Sequence, residues 1–79
     1  MTANPLGKSI VWTSRIDIPV SELRINGLYI GAIRMGIDGW FRWTYYRRHK
    51  QDSISGVERT MDEAKRSFLE RVHREGGLQ

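Results

Sequence analysis

The stretch "RTMDEAKRSFLERVHRE", residues 59–75, restricts the fold more than any other part of the chain. Thr60 and Glu63 form a capping box, in which the Thr60 hydroxyl accepts from the Glu63 amide while the Glu63 side chain reaches back. Met61, Ala64, Phe68, Leu69 and Val72 then follow helical spacing. Asp62 and Glu63 suit the positive end of a helix, and Arg71, His73 and Arg74 suit its negative end. The spacing predicts one helix over Met61 to Glu75. Its single apolar stripe needs a partner surface from the rest of the chain.

That partner is a sheet. Leu28 to Met35 reads as a strand, "GIDG" as a turn, and Trp40 to His49 as a second strand rich in aromatics, the two pairing as a hairpin. After "KQDS", Ile54 to Arg59 reads as a third short strand. Asn26 and Gly27 tolerate positive φ between apolar residues and signal a tight hairpin, or else a kink before a longer strand. The β-branched "SIVWTSRIDIPV" is a further strand candidate. Pro19 removes a donor and holds Ile18 extended, which confines such a strand to an edge. The expectation is an α+β domain of three or four antiparallel strands packed against one C-terminal helix. It spans residues 8–75, with flexible termini at 1–7 and 76–79.

A chain of 79 residues buries a thin core, which disfavours a deep catalytic cleft. It has no cysteine, so disulfides, thiolate metal sites and thiol nucleophiles are excluded. No apolar run approaches the length of a membrane span, and the first residues do not resemble a leader. These features suit a cytoplasmic protein without a membrane partner.

The net charge of +4 is unevenly placed. Arg34, Arg42, Arg47, Arg48 and Lys50 stand against Asp38 alone, so residues 34–50 carry the whole excess and the remaining charges balance. An anionic partner is implied. In the same segment, strand alternation sends Phe41, Trp43 and Tyr45 to one face and Trp40, Arg42, Thr44, Tyr46 and Arg48 to the other. The first face, with Ile33 and Met35, forms a core with the helix. The second mixes planar rings with guanidinium groups, and Arg34 extends it. A bland account also exists, because aromatics are ordinary strand formers and Arg stems cover apolar surface. Leu28, Ile30 and Ala32 share alternation with Arg34, which requires cover from the segment around Val11 and Trp12 or from a second subunit.

The order of these residues resembles the AP2-type DNA-binding domain and the arm-binding domains of phage integrases. The resemblance rests on Tyr29, Gly31 and Arg34, then "GWFRW" at 39–43, then "GVERTMDEA" with Gly56, Thr60, Glu63 and Ala64. It implies a three-stranded sheet backed by a helix and laid into the major groove. The chain also resembles small bacterial proteins with a W-x-W strand and a T-x-x-EAK helix start, for which no activity is implied.

His49 and His73 lie in different elements without a carboxylate pair, and Gly31, Gly36 and Gly39 are explained by turns rather than by a phosphate cradle. No enzyme, metal, cofactor or small-molecule substrate is expected. The candidate residues for binding nucleic acid, duplex DNA in particular, are Arg34, Trp40, Arg42, Tyr46, Arg47, Arg48 and Lys50. The alternative is a protein-interaction module or homodimer whose interface is Trp40, Tyr46, Leu28 and Ile30.

Overall fold

The computed structural model describes residues 9–14, 17 and 20–76. Its strands follow one another across a single antiparallel sheet: β1 (Ile10–Ser14), β2 (Val20–Ile25), β3 (Leu28–Met35), β4 (Phe41–Arg47) and β5 (Asp52–Glu58). The helix α1 (Met61–Arg74) closes over one face. The α+β class is as expected, with five strands instead of three or four. The fifth arises because the first candidate segment pairs with β2 along its length, from Ile10 opposite Ile25 to Ser14 opposite Ser21, and occupies an edge. Pro19, to which that edge placement was attributed, lies outside the described residues, as do 1–7 and 77–79.

Local chemistry sets the connections. Asn26 and Gly27 take φ of 53° and 80°, the two positive values that a two-residue hairpin turn requires. Asn26 also binds the start of β1, its N–H donating to Ser9 O at 2.8 Å and its Oδ1 accepting from Ser9 N–H at 2.9 Å. In the β3–β4 turn, Gly36 N–H donates to Trp40 O at 2.8 Å and Asp38 Oδ1 accepts from Trp40 N–H at 3.0 Å. Trp40 thus belongs to the turn, and β4 begins at Phe41. It ends at Arg47 because residues 48–51 turn the chain, with Gln51 at a φ of 54°. Thr60 caps α1, its Oγ1 accepting from Glu63 N–H at 3.1 Å, and the Glu63 carboxylate accepts from the Thr60 hydroxyl at 3.0 Å. Gly76, expected to fray, closes the helix with a φ of 86° and donates to His73 O at 3.0 Å.

Phe68 is the centre of the core. Its ring lies 5.6 Å from that of Trp43, 6.2 Å from Tyr45 and 5.9 Å from Trp12, with Leu23, Ile33, Ala64 and Val72 buried around it. Two glycines make room for these rings. A Cβ on Gly31 would stand 1.9 Å from Thr44 O and 2.8 Å from Phe68 Cζ, and one on Gly56 would stand 2.4 Å from Trp43 Cζ2. Close approach, and not a turn, therefore accounts for Gly31.

Beside Gly31 the sheet carries a bulge. Leu23 faces Gly31 but Arg24 faces Tyr29, so Ile30 is an extra residue in β3. The bulge reverses the alternation of the strand's first residues. Ile30 packs against the core, and Leu28 sits opposite the buried Ile25 at the hairpin end. Neither therefore joins the row of Ala32 and Arg34, and no cover is needed for them there. Trp12 packs on the helix side, against Phe68.

Candidate functional site

The face of the sheet away from α1 has no element over it among the described residues. Register places its side chains in rows, because directly opposed residues in antiparallel strands share a face. One row runs Val20, Arg34, Arg42, Val57 across β2 to β5. The next runs Glu22, Ala32, Thr44, Ser55, and beyond it lie Arg24, Tyr29, Tyr46 and Ser53.

The first row holds an unusual pair. Arg34 and Arg42 are directly opposed, both exposed, and neither makes an ion pair or a hydrogen bond through its side chain with any described residue. Like charges at directly opposed positions destabilise a strand pair. Their neighbours Val20 and Val57 offer no compensating charge. An anion placed over the pair would relieve the repulsion, and two guanidinium forks side by side match the oxygens of a phosphate.

Trp40 borders this row and is half-exposed. Arg59 lies over its ring at 5.1 Å, so one face of the indole is already occupied by a cation. Arg59 thereby joins the patch, and sequence reasoning missed it because the residue was assigned to the end of a strand and to no face. At the opposite end, Tyr46 is exposed and stacks on Tyr29, ring centroids 6.0 Å apart, while Arg24 lies 5.6 Å from the centre of the Tyr29 ring. Arg24 also pairs with Glu22 at 3.5 Å. Tyr29 reaches this group only through the bulge, which explains why alternation alone did not find it. Burial, followed by the neighbouring Tyr46 and Glu22, pushes the Tyr29 hydroxyl above its ordinary pKa, so it stays a neutral donor at physiological pH.

Arg48 and Lys50 stand exposed in the β4–β5 turn, next to a depression of about 400 Å³ lined by Tyr46, Arg47, Arg48, Gln51, Asp52 and Ser53. Arg47 is different, and its assignment as a binding residue is corrected by its position. It faces the helix side, where Nε donates to Asp52 Oδ1 at 2.7 Å and an Nη donates to Glu75 Oε1 at 2.8 Å. Those bonds raise its pKa further above the ordinary arginine value and hold both carboxyls below theirs, chiefly through the hydrogen bonds to Arg47. Arg47 fastens β4 to β5 and to the end of α1, and its charge is neutralised there.

The six remaining candidates lie on or beside one surface. Arg34, Arg42 and Trp40 occupy one end of it, and Tyr46, Arg48 and Lys50 the other. Arg42 and Tyr46 are four steps of strand apart, roughly 14 Å at the antiparallel rise. The middle row contributes only small side chains from β3 to β5, namely Ala32, Thr44 and Ser55, with the Thr44 and Ser55 hydroxyls 3.5 Å apart. Cationic ends with a low, polar middle can admit a ridge of comparable width. His49 and His73 are both exposed and far apart in the chain, and no group of three metal-ligating side chains occurs among the described residues. No helix among them is long and apolar enough to cross a membrane. No family model, curated protein or solved structure matches the chain.

Proposed function

We propose that this protein binds nucleic acid, with duplex DNA as the preferred form, through the open face of its sheet. The observation that carries the reading is the opposed, unpartnered pair Arg34 and Arg42. No described residue pairs with either guanidinium, and a phosphate backbone would supply the opposite charge. The separation of the two cationic ends, at least about 14 Å of strand, supports a duplex, because cations that far apart can reach two phosphate backbones at once. The order of β3, β4, β5 and α1 is also compatible with the resemblance to sheet-reading DNA-binding domains. A cytoplasmic setting accords with such a partner.

The test is a titration with duplex DNA, single-stranded DNA and RNA at several salt concentrations. With Arg34, Arg42, Arg48 and Lys50 as four phosphate contacts, the slope of log affinity against log salt on duplex DNA should be about −3.6. Arg34→Ala and Arg42→Ala should each make it shallower by about one unit. Arg47→Met should leave the slope unchanged. If the wild-type protein binds no nucleic acid at low salt, or if Arg42→Ala instead dissociates a homodimer, this reading is wrong and the face is a protein interface.

A further inference from the structure

The β3–β4 turn carries an isoleucine at its tip. Ile37 is completely exposed, while Met35, Trp40 and Val57 near it are each at least 40% exposed. A turn whose only task is to reverse the chain favours Gly, Asn, Asp or Ser. The turn itself is held by three hydrogen bonds: Gly36 N–H to Trp40 O, Gly39 N–H to Gly36 O and Trp40 N–H to Asp38 Oδ1. Ile37 therefore projects from a braced support and contributes nothing to the core. Asp38, the one acid at the tip, has an oxygen engaged by the Trp40 amide. Behind the tip, separated from it by the Met35–Phe41 pair, stand Arg34 and Arg42.

An apolar point backed by two cations that no described residue pairs fits a particular occupant. We infer that Ile37 is a wedge that enters between base pairs of duplex DNA and bends it, while Arg34 and Arg42 hold the phosphates beside the opened step. This inference rests on the proposed nucleic-acid binding and adds to it a deformation of the partner. Apolar side chains inserted at a base step unstack it and kink the duplex, and aliphatic residues of this size are among those that do so. The charge complementarity of the stem is what selects DNA over an apolar protein groove.

The test uses the whole chain and a duplex of about 30 base pairs labelled at both ends for energy transfer, with a second version carrying a central mismatch. The wild-type protein should bring the ends closer and bind the mismatched duplex roughly tenfold more tightly, because part of the unstacking cost is already met. Ile37→Ser should keep the unfolding midpoint and the salt slope but lose both the bend and the mismatch preference, whereas Ile37→Leu should keep them. If Ile37→Ser bends and discriminates as the wild type does, or if the wild type binds with the expected salt slope to a duplex that stays straight, the wedge is refuted while nucleic-acid binding stands. If the wild type binds no duplex, both readings fall. If it instead binds vesicles of equal phosphatidylserine and phosphatidylcholine in an Ile37-dependent way and leaves the duplex straight, the tip is a lipid anchor and the wedge is refuted.

Discussion

Phe68 and Gly31 meet ring to backbone, and each is shaped by the other. Gly31→Ala would place a methyl group 1.9 Å from the Thr44 carbonyl, a main-chain atom that cannot rotate away. A loss of about 3 kcal/mol, the upper part of the usual range for overpacking, is expected, read as a fall in denaturation midpoint at constant slope. Gly27→Ala provides the contrast, because nothing lies within 4 Å of that position and only its φ of 80° resists a side chain. It should cost less, roughly 1 to 2 kcal/mol. Phe68→Ala should be the most harmful of the three, at roughly 3 to 5 kcal/mol. Helical spacing made Phe68 legible as a core residue. The need for glycine at 31 was not legible, because the atoms that demand it come from β4 and α1 and have no local signature.

The hairpin of β4 and β5 is joined to the helix end by Arg47, Asp52 and Glu75, with Arg71 also donating to Glu75 at 3.3 Å. Both carboxyls are held below their ordinary values of 3.8 and 4.5 in the folded state. A carboxyl of lowered pKa adds stability that is present above its unfolded pKa and is lost as the pH falls through its folded pKa. The wild-type protein should therefore lose stability on acidification below about pH 4.5. An Asp52→Asn, Glu75→Gln double variant should be less stable near neutrality and show a flatter profile over that acid range. Denaturation midpoints at successive pH values check this, and equal acid slopes would contradict it. Alternation, which separated Phe41, Trp43 and Tyr45 from Arg42 and Tyr46, also assigns Arg47 to the helix side. The charge of the segment outweighed that signal in the sequence reading, and Glu75, 28 positions away, gave no local hint of the pairing. The bulge at Ile30 was similarly hidden, since a single extra residue alters no composition and only inverts which neighbours share a face.

Across the whole molecule, the fold class was readable because two periods, helical and alternating, agreed on one buried layer between a sheet and a helix. The fifth strand was harder to foresee, since "IVWTS" becomes an element only by pairing with β2. Every strand pairs with the one before it in the chain, so the sheet is assembled from neighbours. The core is not, because Phe68 of α1 lies against the rings of Trp12 in β1 and of Trp43 and Tyr45 in β4. A chain ended at Thr60 should retain the means to form hairpins but show no cooperative thermal transition, and it should bind a dye that reports exposed apolar surface. A sharp transition in that truncated chain would show that the sheet is stable unaided. During synthesis on a ribosome, all five strands emerge before the residue that unites their aromatic side does. Until Phe68 has emerged, the aromatic side of the sheet has no helix to cover it, and a message cut short before that codon yields a sticky sheet instead of a shorter working protein.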